Sequence, residues 1–302
     1  MSAPVRPRDI RKPPSRGKRM MSENGFAVPG VQSAKQALRS LLPRAYLNWR
    51  DERFYARYGE VELHLLDLLC DRNRDSIDVG ANEGCYVSVM RRLSRRVVAF
   101  EPIPWLADKL ASRFGGNVHV EKIALSNKGG RTSLLVPIVE GIDVEGCATV
   151  DARAASHYTS HREIGVETAR LDDVYAADAG FIKIDTEGHE EAVLEGAVQT
   201  IVRSRPRLLV EIVDYLAPGG AARIGGFLAQ LGYRGHFIFR RNVLPLEVFD
   251  ARIMQAKENE PNLTAALAVR ERFPSFVYNF LFFPNEEPAA TLANLTARVE
   301  RL

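Results

Sequence analysis

The stretch "SIDVGANEGCYVSVM", residues 76–90, opens with an apolar run holding one acid, turns through Gly80, Asn82 and Gly84, and continues with helical spacing. Glycine tolerates backbone angles that a Cβ penalises, and it lets a ligand approach the main chain. At a strand-to-helix turn such a loop aims free backbone N–H groups at whatever lies above the sheet. A nucleotide-type cofactor is therefore the first expectation. A dinucleotide-binding G-x-G-x-x-G read from Gly80 requires glycine at positions 82 and 85, where Asn82 and Cys85 stand, and no Gly-Lys-Ser/Thr follows for a phosphate loop. What remains is Asp78-x-Gly80-x-Asn82-x-Gly84, with the acid Glu101 closing the next apolar run. A carboxylate there can accept both hydroxyls of a ribose through charge-assisted bonds of about 1.5–3 kcal/mol each. One ribose and a glycine turn, without a pyrophosphate cradle, suggest a nucleoside cofactor such as S-adenosylmethionine.

Outward from this turn the chain alternates. "SIDVG" reads as a strand, "EGCYVSVMRRL" as a helix, "RVVAFEP" as a strand, "PWLADKLASRF" as a helix with Pro in its first turn, and "VHVEKIALS" as a third strand. "GGRTSLLVP" follows a Gly-Gly turn as a candidate hairpin partner, and residues 138–166 break the rhythm as a long irregular segment of the kind that forms lids or binding loops. "FIKID" restores a strand, "HEEAVLEGAVQTIVRS" one helix, "RLLVEIV" a strand, "ARIGGFLAQLGY" a helix, and "HFIFR" and "FVYNFLFFP" the last strands. Uniformly apolar strands alternating with helices argue for a parallel sheet covered on both faces. Ligands of such sheets bind outside the carboxyl ends of the strands. The residues to inspect are thus Gly80, Glu101, Ala124, Asp185 and Glu211.

The domain reading divides the chain into a basic tail over 1–33, a helical segment over 34–70, a catalytic domain over 71–286 and a helical tail over 287–302. Seven of the 41 basic residues but one of the 38 acidic ones fall in residues 1–19, leaving a body with 34 basic and 37 acidic residues. A mildly acidic body without a basic stripe argues against a nucleic-acid partner. No apolar run approaches the roughly 20 residues of a membrane span, and no apolar stretch follows the basic N-terminus as a secretory signal would require. Cys70, Cys85 and Cys147, an odd number without CxxC spacing, fit a reducing cytoplasm and read as buried small hydrophobes. The expected location is cytoplasmic.

"KIDTEGHEE" concentrates Lys183, Asp185, Glu187, His189, Glu190 and Glu191. Acids in a first helical turn explain Glu190 and Glu191. They do not explain Lys183 and Asp185, which alternate with Ile182 and Ile184 in a strand expected to be buried, where charge is rare unless paired. Lys183, Asp185, Glu187 and His189 are the candidate catalytic residues; Asp78, Gly80, Asn82, Gly84, Glu101 and Ala124 are the candidate cofactor residues. Asp185, Glu187, His189 and Glu211 would suit a divalent metal by ligand type. Their spacing is not diagnostic and "HEEAV" is not HExxH, so no metal site is assigned. His157 and His161, four apart, read as loop histidines rather than ligands.

The segments "DVGANEGCY", "AFEPIP", "ALSNKGG", "ARLDDV", "FIKIDTEGHEEAVLEGA" and "LLVEI" occur in the order and approximate spacing of the FkbM family of methyltransferases, which the chain resembles over about residues 75–215. The resemblance implies an α/β fold of the class I methyltransferase (Rossmann-like) kind: a mostly parallel seven-stranded sheet with helices on both faces and the last strand antiparallel. It implies S-adenosylmethionine as methyl donor and a hydroxyl acceptor on a small molecule such as a glycan, glycolipid or natural product. It also puts Ala124 where the third strand meets the adenine edge. Residues 1–70 and 138–166 carry little of the resemblance and are the expected source of acceptor specificity. Two rivals stand beside this reading: a catalytically silent scaffold retaining the fold, and a nicotinamide oxidoreductase, which the failed glycine fingerprint disfavours.

Overall fold

In the computed structural model, five strands line up side by side in parallel: β3 (Val118–Glu121), β2 (Val97–Phe100), β1 (Asp75–Val79), β8 (Ala179–Ile184) and β9 (Arg207–Glu211). Every residue of β1, β2 and β8 is buried, as strands covered on both faces must be. Beyond β9 the direction reverses. β12 (Asn279–Pro284) pairs antiparallel with β9 and with β10 (Tyr233–Phe239). The structure describes residues 59–259 and 275–302, together with Tyr46, Arg50, Arg53 and Phe54.

The sheet has eight strands rather than the seven expected, and it is mixed. After β10 the chain turns at Arg240, in the left-handed region at φ 49°, and returns antiparallel as β11 (Asn242–Pro245). Four residues ending in proline give no strand signal in the sequence. The edge is made stable by cover: Val243 packs on the core cluster that holds Leu295 and Val299 of the C-terminal helix Ala289–Arg301. The segment assigned as a helical tail over 287–302 is accordingly helical but docked, with Arg298 also paired to Asp67 at 3.0 Å. The tail assigned to 1–33 and most of the segment assigned to 34–70 lie outside the described residues. The last part of the latter forms a 3₁₀ turn at Val61–His64 and a short helix at Leu66–Leu69.

Two apolar layers sandwich the sheet. On one face Ile77, Val79, Ile182, Ile184, Leu208, Val210, Phe280 and Phe282 meet Val193, Leu194, Ile201, Ile224 and Leu228 from the helices Glu190–Glu195, Val198–Ser204 and Gly220–Gln230. On the other, Ala99, Phe181, Leu209 and Leu281 meet Val87, Met90 and Leu110 from the helices Cys85–Leu93 and Pro104–Arg113, with Leu295 and Val299 beside them.

Three expectations are corrected. "VHVEKIALS" is not one strand: β3 stops at Glu121, and Ala124–Leu125 forms β4 in a second sheet, parallel to Thr168–Ala169. Residues 138–166 are not irregular throughout. They contain β6 (Ile142–Asp143) and most of β7 (His161–Ala169), which pairs antiparallel with β5 (Gly130–Val139) from Gly130↔Thr168 to Pro137↔His161. Only Val166 of β7 is fully buried, so the strand lacks the apolar run that would have announced it. Third, the helix expected over 189–204 breaks at Gly196, where a Cβ would lie 2.0 Å from the Ser126 carbonyl oxygen.

Gly80 and Gly226 make a paired test of backbone constraint. At Gly80 (φ +77°) a Cβ would lie 1.8 Å from the Asp185 carbonyl oxygen, whereas a Cβ at Gly226, within the helix Gly220–Gln230, meets nothing within 4 Å. Gly80→Ala should lower stability in urea unfolding by about 2 kcal/mol or more. Gly226→Ala should raise it by about 0.5–1 kcal/mol. Equal effects of the two substitutions would contradict the geometry.

Candidate functional site

The turn after β1 is held at both ends by neighbouring strands. The Gly80 and Ala81 N–H groups donate to the Phe100 carbonyl at 3.0 and 3.1 Å, and the Asp185 N–H donates to the Val79 carbonyl at 3.0 Å. This locks the carboxyl ends of β1, β2 and β8 together, at the cost of the close approach that only glycine permits at position 80. Asn82 takes the left-handed conformation at φ 46°, and its N–H donates to Glu101 Oε2 at 2.7 Å. Glu101 Oε1 accepts from the Ile103 N–H at 2.9 Å. Burial drives the Glu101 carboxyl up to about 7 against the pull of these two amides. The carboxylate thus serves first as the clasp of its own loop, with further lone pairs available to a ligand.

Glu101 opens onto a cleft lined by Gly80, Asn82, Ile103, Ala124 and Leu134 together with Asp185, Thr186, Glu187 and His189. The 3₁₀ turn Glu145–Cys147 and the loop after it add Glu145, Gly146, Ala148 and Val150 to the lining, and the Trp105 indole N–H donates to Glu145 Oε1. Of the ten candidate residues, Gly80, Asn82, Glu101, Ala124, Asp185, Glu187 and His189 line the cleft directly. Ala124 does so from β4 of the second sheet, not from the end of β3. Gly84 stands elsewhere: it caps the helix Cys85–Leu93 in the left-handed conformation, and a Cβ there would lie 2.6 Å from both Leu110 and Phe114. Its glycine serves helix packing.

Asp78 and Lys183 form the floor beneath. Lys183 Nζ, 5% exposed, lies 2.7 Å from Asp185 Oδ2, 4.0 Å from Asp78 Oδ1 and 4.8 Å from the centre of the Tyr86 ring. Burial alone would lower the Lys183 pKa, but the carboxylates of Asp185 and Asp78 reverse that and raise it. Neither Asp78 oxygen meets a hydrogen-bond partner at full geometry among the described residues. Burial pushes its carboxyl up to about 6, opposed by Lys183. Burial, reinforced by Asp185 and Glu187, likewise holds Glu211 well above the usual carboxylate range.

Glu187 sits in the left-handed region at φ 54°, unusual for a side chain of its size, on the loop between β8 and the next helix. Glu190 fixes that loop: its Oε1 accepts from the Thr186 N–H, the Thr186 hydroxyl and the Gly188 N–H at 2.9–3.0 Å. The first-turn explanation of Glu190 is therefore incomplete, since its buried carboxylate shapes the cleft wall. His189 Nε2 lies 2.9 Å from Ser126 Oγ, and burial lowers the imidazole pKa, so the ring is neutral near pH 7. Asp185, Glu187 and Glu211 each offer an oxygen, all within 4.8 Å of one another, whereas His189 lies outside that group.

The sequence reading missed Glu60, Asn279 and Ser126. Glu60 Oε2 accepts from the Tyr86 hydroxyl at 2.5 Å and from Asn279 Nδ2 at 3.2 Å, and its charge acts on Lys183, Asp78 and Glu211. Asn279 faces Glu211 across the β12–β9 ladder. An asparagine inside "FVYNFLFFP" was the available signal for it. The two loop histidines are not brought together: His161 bonds the Ala155 carbonyl, and His157 meets Tyr215. Of the cysteines, Cys70 is buried as expected, but Cys85 and Cys147 are half-buried. No helix among the described residues is long and apolar enough to cross a membrane.

The model of the family described as the methyltransferase FkbM domain matches residues 78–234, more than half of the 302. No curated protein matches the chain. Among solved structures, the chain is similar to a methyltransferase FkbM from Methylobacillus flagellatus KT at 14% identity, covering 70% of this chain and 44% of that one with a TM-score of 0.44. It is similar to an rRNA methylase from Streptococcus thermophilus at 12% identity, covering 74% and 93% with a TM-score of 0.38. A putative methyltransferase from Streptococcus mutans in complex with SAH gives 10%, 74% and 96%, and 0.37. The chain thus spans less than half of the first of these, and with TM-scores below 0.5 none of the three bears on what it does. The sequence match, in contrast, contains every candidate residue of the cleft, and the chain belongs to the FkbM methyltransferase family.

Proposed function

We propose that the protein is an S-adenosylmethionine-dependent O-methyltransferase acting on a hydroxyl of a sugar, glycolipid or natural-product small molecule. The observation that carries the reading is that one cleft is lined by two chemically different sets of residues. In one set, Glu101 is a buried carboxylate with unused lone pairs, accompanied by the Cβ-free Gly80 and the apolar Ile103, Ala124 and Leu134, a surround suited to a ribose and its base. The other set, Asp185, Glu187 and His189, offers carboxylates and an imidazole suited to handling a proton.

When bound, S-adenosylmethionine supplies an electrophilic methyl group on a sulfonium sulfur. Glu101 would accept the ribose hydroxyls, and Asp78 and Asp185, flanking Lys183, would face the ammonium end. Holding an acceptor oxygen in line can provide effective molarities on the order of 10⁵–10⁸ M. A sugar or alcohol hydroxyl is a poor nucleophile, so a base adds about 10²–10⁴ in rate. In this reading His189, bonded to Ser126, or Glu187 would take that proton. The identifying experiment is incubation of labelled donor with purified protein and cell extract, followed by isolation of the labelled product; no labelled product in any extract would count against the reading.

The donor end should respond to pH through Glu101. Its carboxyl sits near 7 before binding, and the ionised form accepts the ribose hydroxyls, so donor affinity should fall as pH drops from 8 to 6. Glu101→Gln should flatten that dependence in calorimetric titrations with S-adenosylhomocysteine. A wild-type affinity that does not change with pH would remove Glu101 from this role.

The two ends should also separate kinetically. Glu101→Ala removes a contact made before and during the transition state, so the donor KM should rise about 10–100-fold with a smaller change in kcat. Glu187→Gln and His189→Ala should lower kcat while donor affinity stays near normal, and Asp185→Asn should fall between. Single-turnover rates beside direct donor titrations distinguish these; wild-type turnover in both Glu187→Gln and His189→Ala would exclude them as proton acceptors.

A further inference from the structure

Glu60 and Asn279 fall on either side of residues 78–234, the span of the family match, yet they meet each other. Glu60, half-buried, precedes the 3₁₀ turn Val61–His64, and Asn279, buried, opens β12. A single oxygen gathers them with a third element. Glu60 Oε2 accepts from the Tyr86 hydroxyl at 2.5 Å and from Asn279 Nδ2 at 3.2 Å. The first distance is that of a charge-assisted O–H···O⁻ bond. Burial, reinforced by the carboxylates of Glu60 and Glu62, holds the Tyr86 phenol well above its ordinary pKa, so the hydroxyl keeps the proton it donates. Neither Glu60 nor Tyr86 lines the cleft, so any influence they have on it passes through other side chains.

Tyr86 supplies that route. It lies in the first turn of the helix Cys85–Leu93, directly after the Gly80–Gly84 turn, and it is buried. While its hydroxyl is tied to Glu60, its ring lies 4.8 Å from Lys183 Nζ, within cation–π reach. Lys183 Nζ is in turn 2.7 Å from Asp185 Oδ2, and Asp185 lines the cleft. The contacts thus run from Glu60 through Tyr86 and Lys183 to the cleft wall. A ring anchored at its hydroxyl keeps one position against the ammonium, whereas a ring held by packing alone can tilt. We propose that Glu60 is a positioning residue of the donor site: through the Tyr86 hydroxyl it sets the ring against Lys183 and so fixes the Lys183–Asp185 pair, a role that rests on the S-adenosylmethionine reading. Asn279 steadies the same carboxylate from β12.

The test compares Glu60→Ala, Glu60→Gln, Tyr86→Phe and the double variant Glu60→Ala/Tyr86→Phe in the full chain. One readout needs no donor. The NMR resonances of the Lys183 side chain, displaced by the ring current of Tyr86, should move in Glu60→Ala and in Tyr86→Phe. They should return toward wild type in Glu60→Gln, whose carboxamide oxygen still accepts from the phenol. The other readout is calorimetry with S-adenosylhomocysteine. Affinity should fall about 3–10-fold in Glu60→Ala and in Tyr86→Phe, the worth of one hydrogen bond, and recover in Glu60→Gln. The double variant should lose no more than either single one, because both break the same bond. Should Glu60→Ala not fold, Tyr86→Phe against Glu60→Gln carries the same comparison. Lys183 resonances that stay in place overturn the positioning role whatever the donor does. Moved resonances with unchanged affinity, or additive losses in the double variant, overturn it as well and leave Glu60 a structural contact. No binding of S-adenosylhomocysteine by the wild type overturns the donor reading and this role with it.

Discussion

The buried ammonium of Lys183 is the interaction around which the site is organised. A lysine inside a fully buried strand would ordinarily lose its charge, because desolvation favours the neutral amine. Here Asp185 at 2.7 Å and Asp78 at 4.0 Å reverse that preference, and the Tyr86 ring lies at cation–π distance. The cation in turn allows carboxylates to gather where they would otherwise repel one another: Asp78, Asp185 and Glu211, with Glu60 and Glu187 close enough to act on them. Removing one member of such a group leaves uncompensated charge in a low-dielectric place, so the penalty exceeds the worth of any single pair.

Around that centre the cleft is built by backbone constraints. Gly80 lets the Asp185 carbonyl come within what would be bonding distance of a Cβ, and this closes β1 against β8. Glu101 clasps the loop of Asn82 to the start of the next helix, and Glu190 clasps the loop of Thr186 and Gly188. Both clasps use carboxylates buried without a cationic partner and satisfied by amide N–H groups. Such geometry fixes a loop without the side-chain entropy that a long ion pair would have to lose. The same carboxylate at position 101 is then available to a ligand.

Much of this was legible in the sequence because period-two strands separate charge from apolar residues. In "FIKID" the isoleucines and the charged pair alternate, and the structure puts Ile182 and Ile184 in one apolar layer while Lys183 and Asp185 face the other side. The glycine turn and Glu101 were readable for a similar reason, as polar residues at the ends of apolar runs. What escaped were groups whose role depends on distant partners. Glu60 lies in a segment without a motif and acquires meaning only from Tyr86 and Asn279, the latter 219 positions away. Ser126 matters through His189, 63 positions on. The second sheet escaped because it is covered on one side only, so β7 shows a single buried residue where a core strand would show several. Gly84 was read as part of the cradle because glycines in a turn look alike; the side chains of Leu110 and Phe114, invisible in a local reading, decide its purpose.

The same alternation explains why the chemistry is confined to one face and one edge. Asp78 stands between Ile77 and Val79, Lys183 and Asp185 flank Ile184, Glu211 follows Val210, and Asn279 precedes Phe280. Across the ladders Asp78 pairs with Lys183 and Glu211 with Asn279, so all of them share a face. A one-residue slip of any strand would carry its polar group into the layer of Ile77, Val210 and Phe280, where nothing could satisfy it. The register that packs the core is therefore the register that assembles the site. A second sheet with few buried residues can vary against that fixed edge without disturbing it. The half of the cleft that the register fixes is written into the main sheet, and the stretch from Glu145 to Val150 that also lines it is a turn and loop, where the core makes few demands.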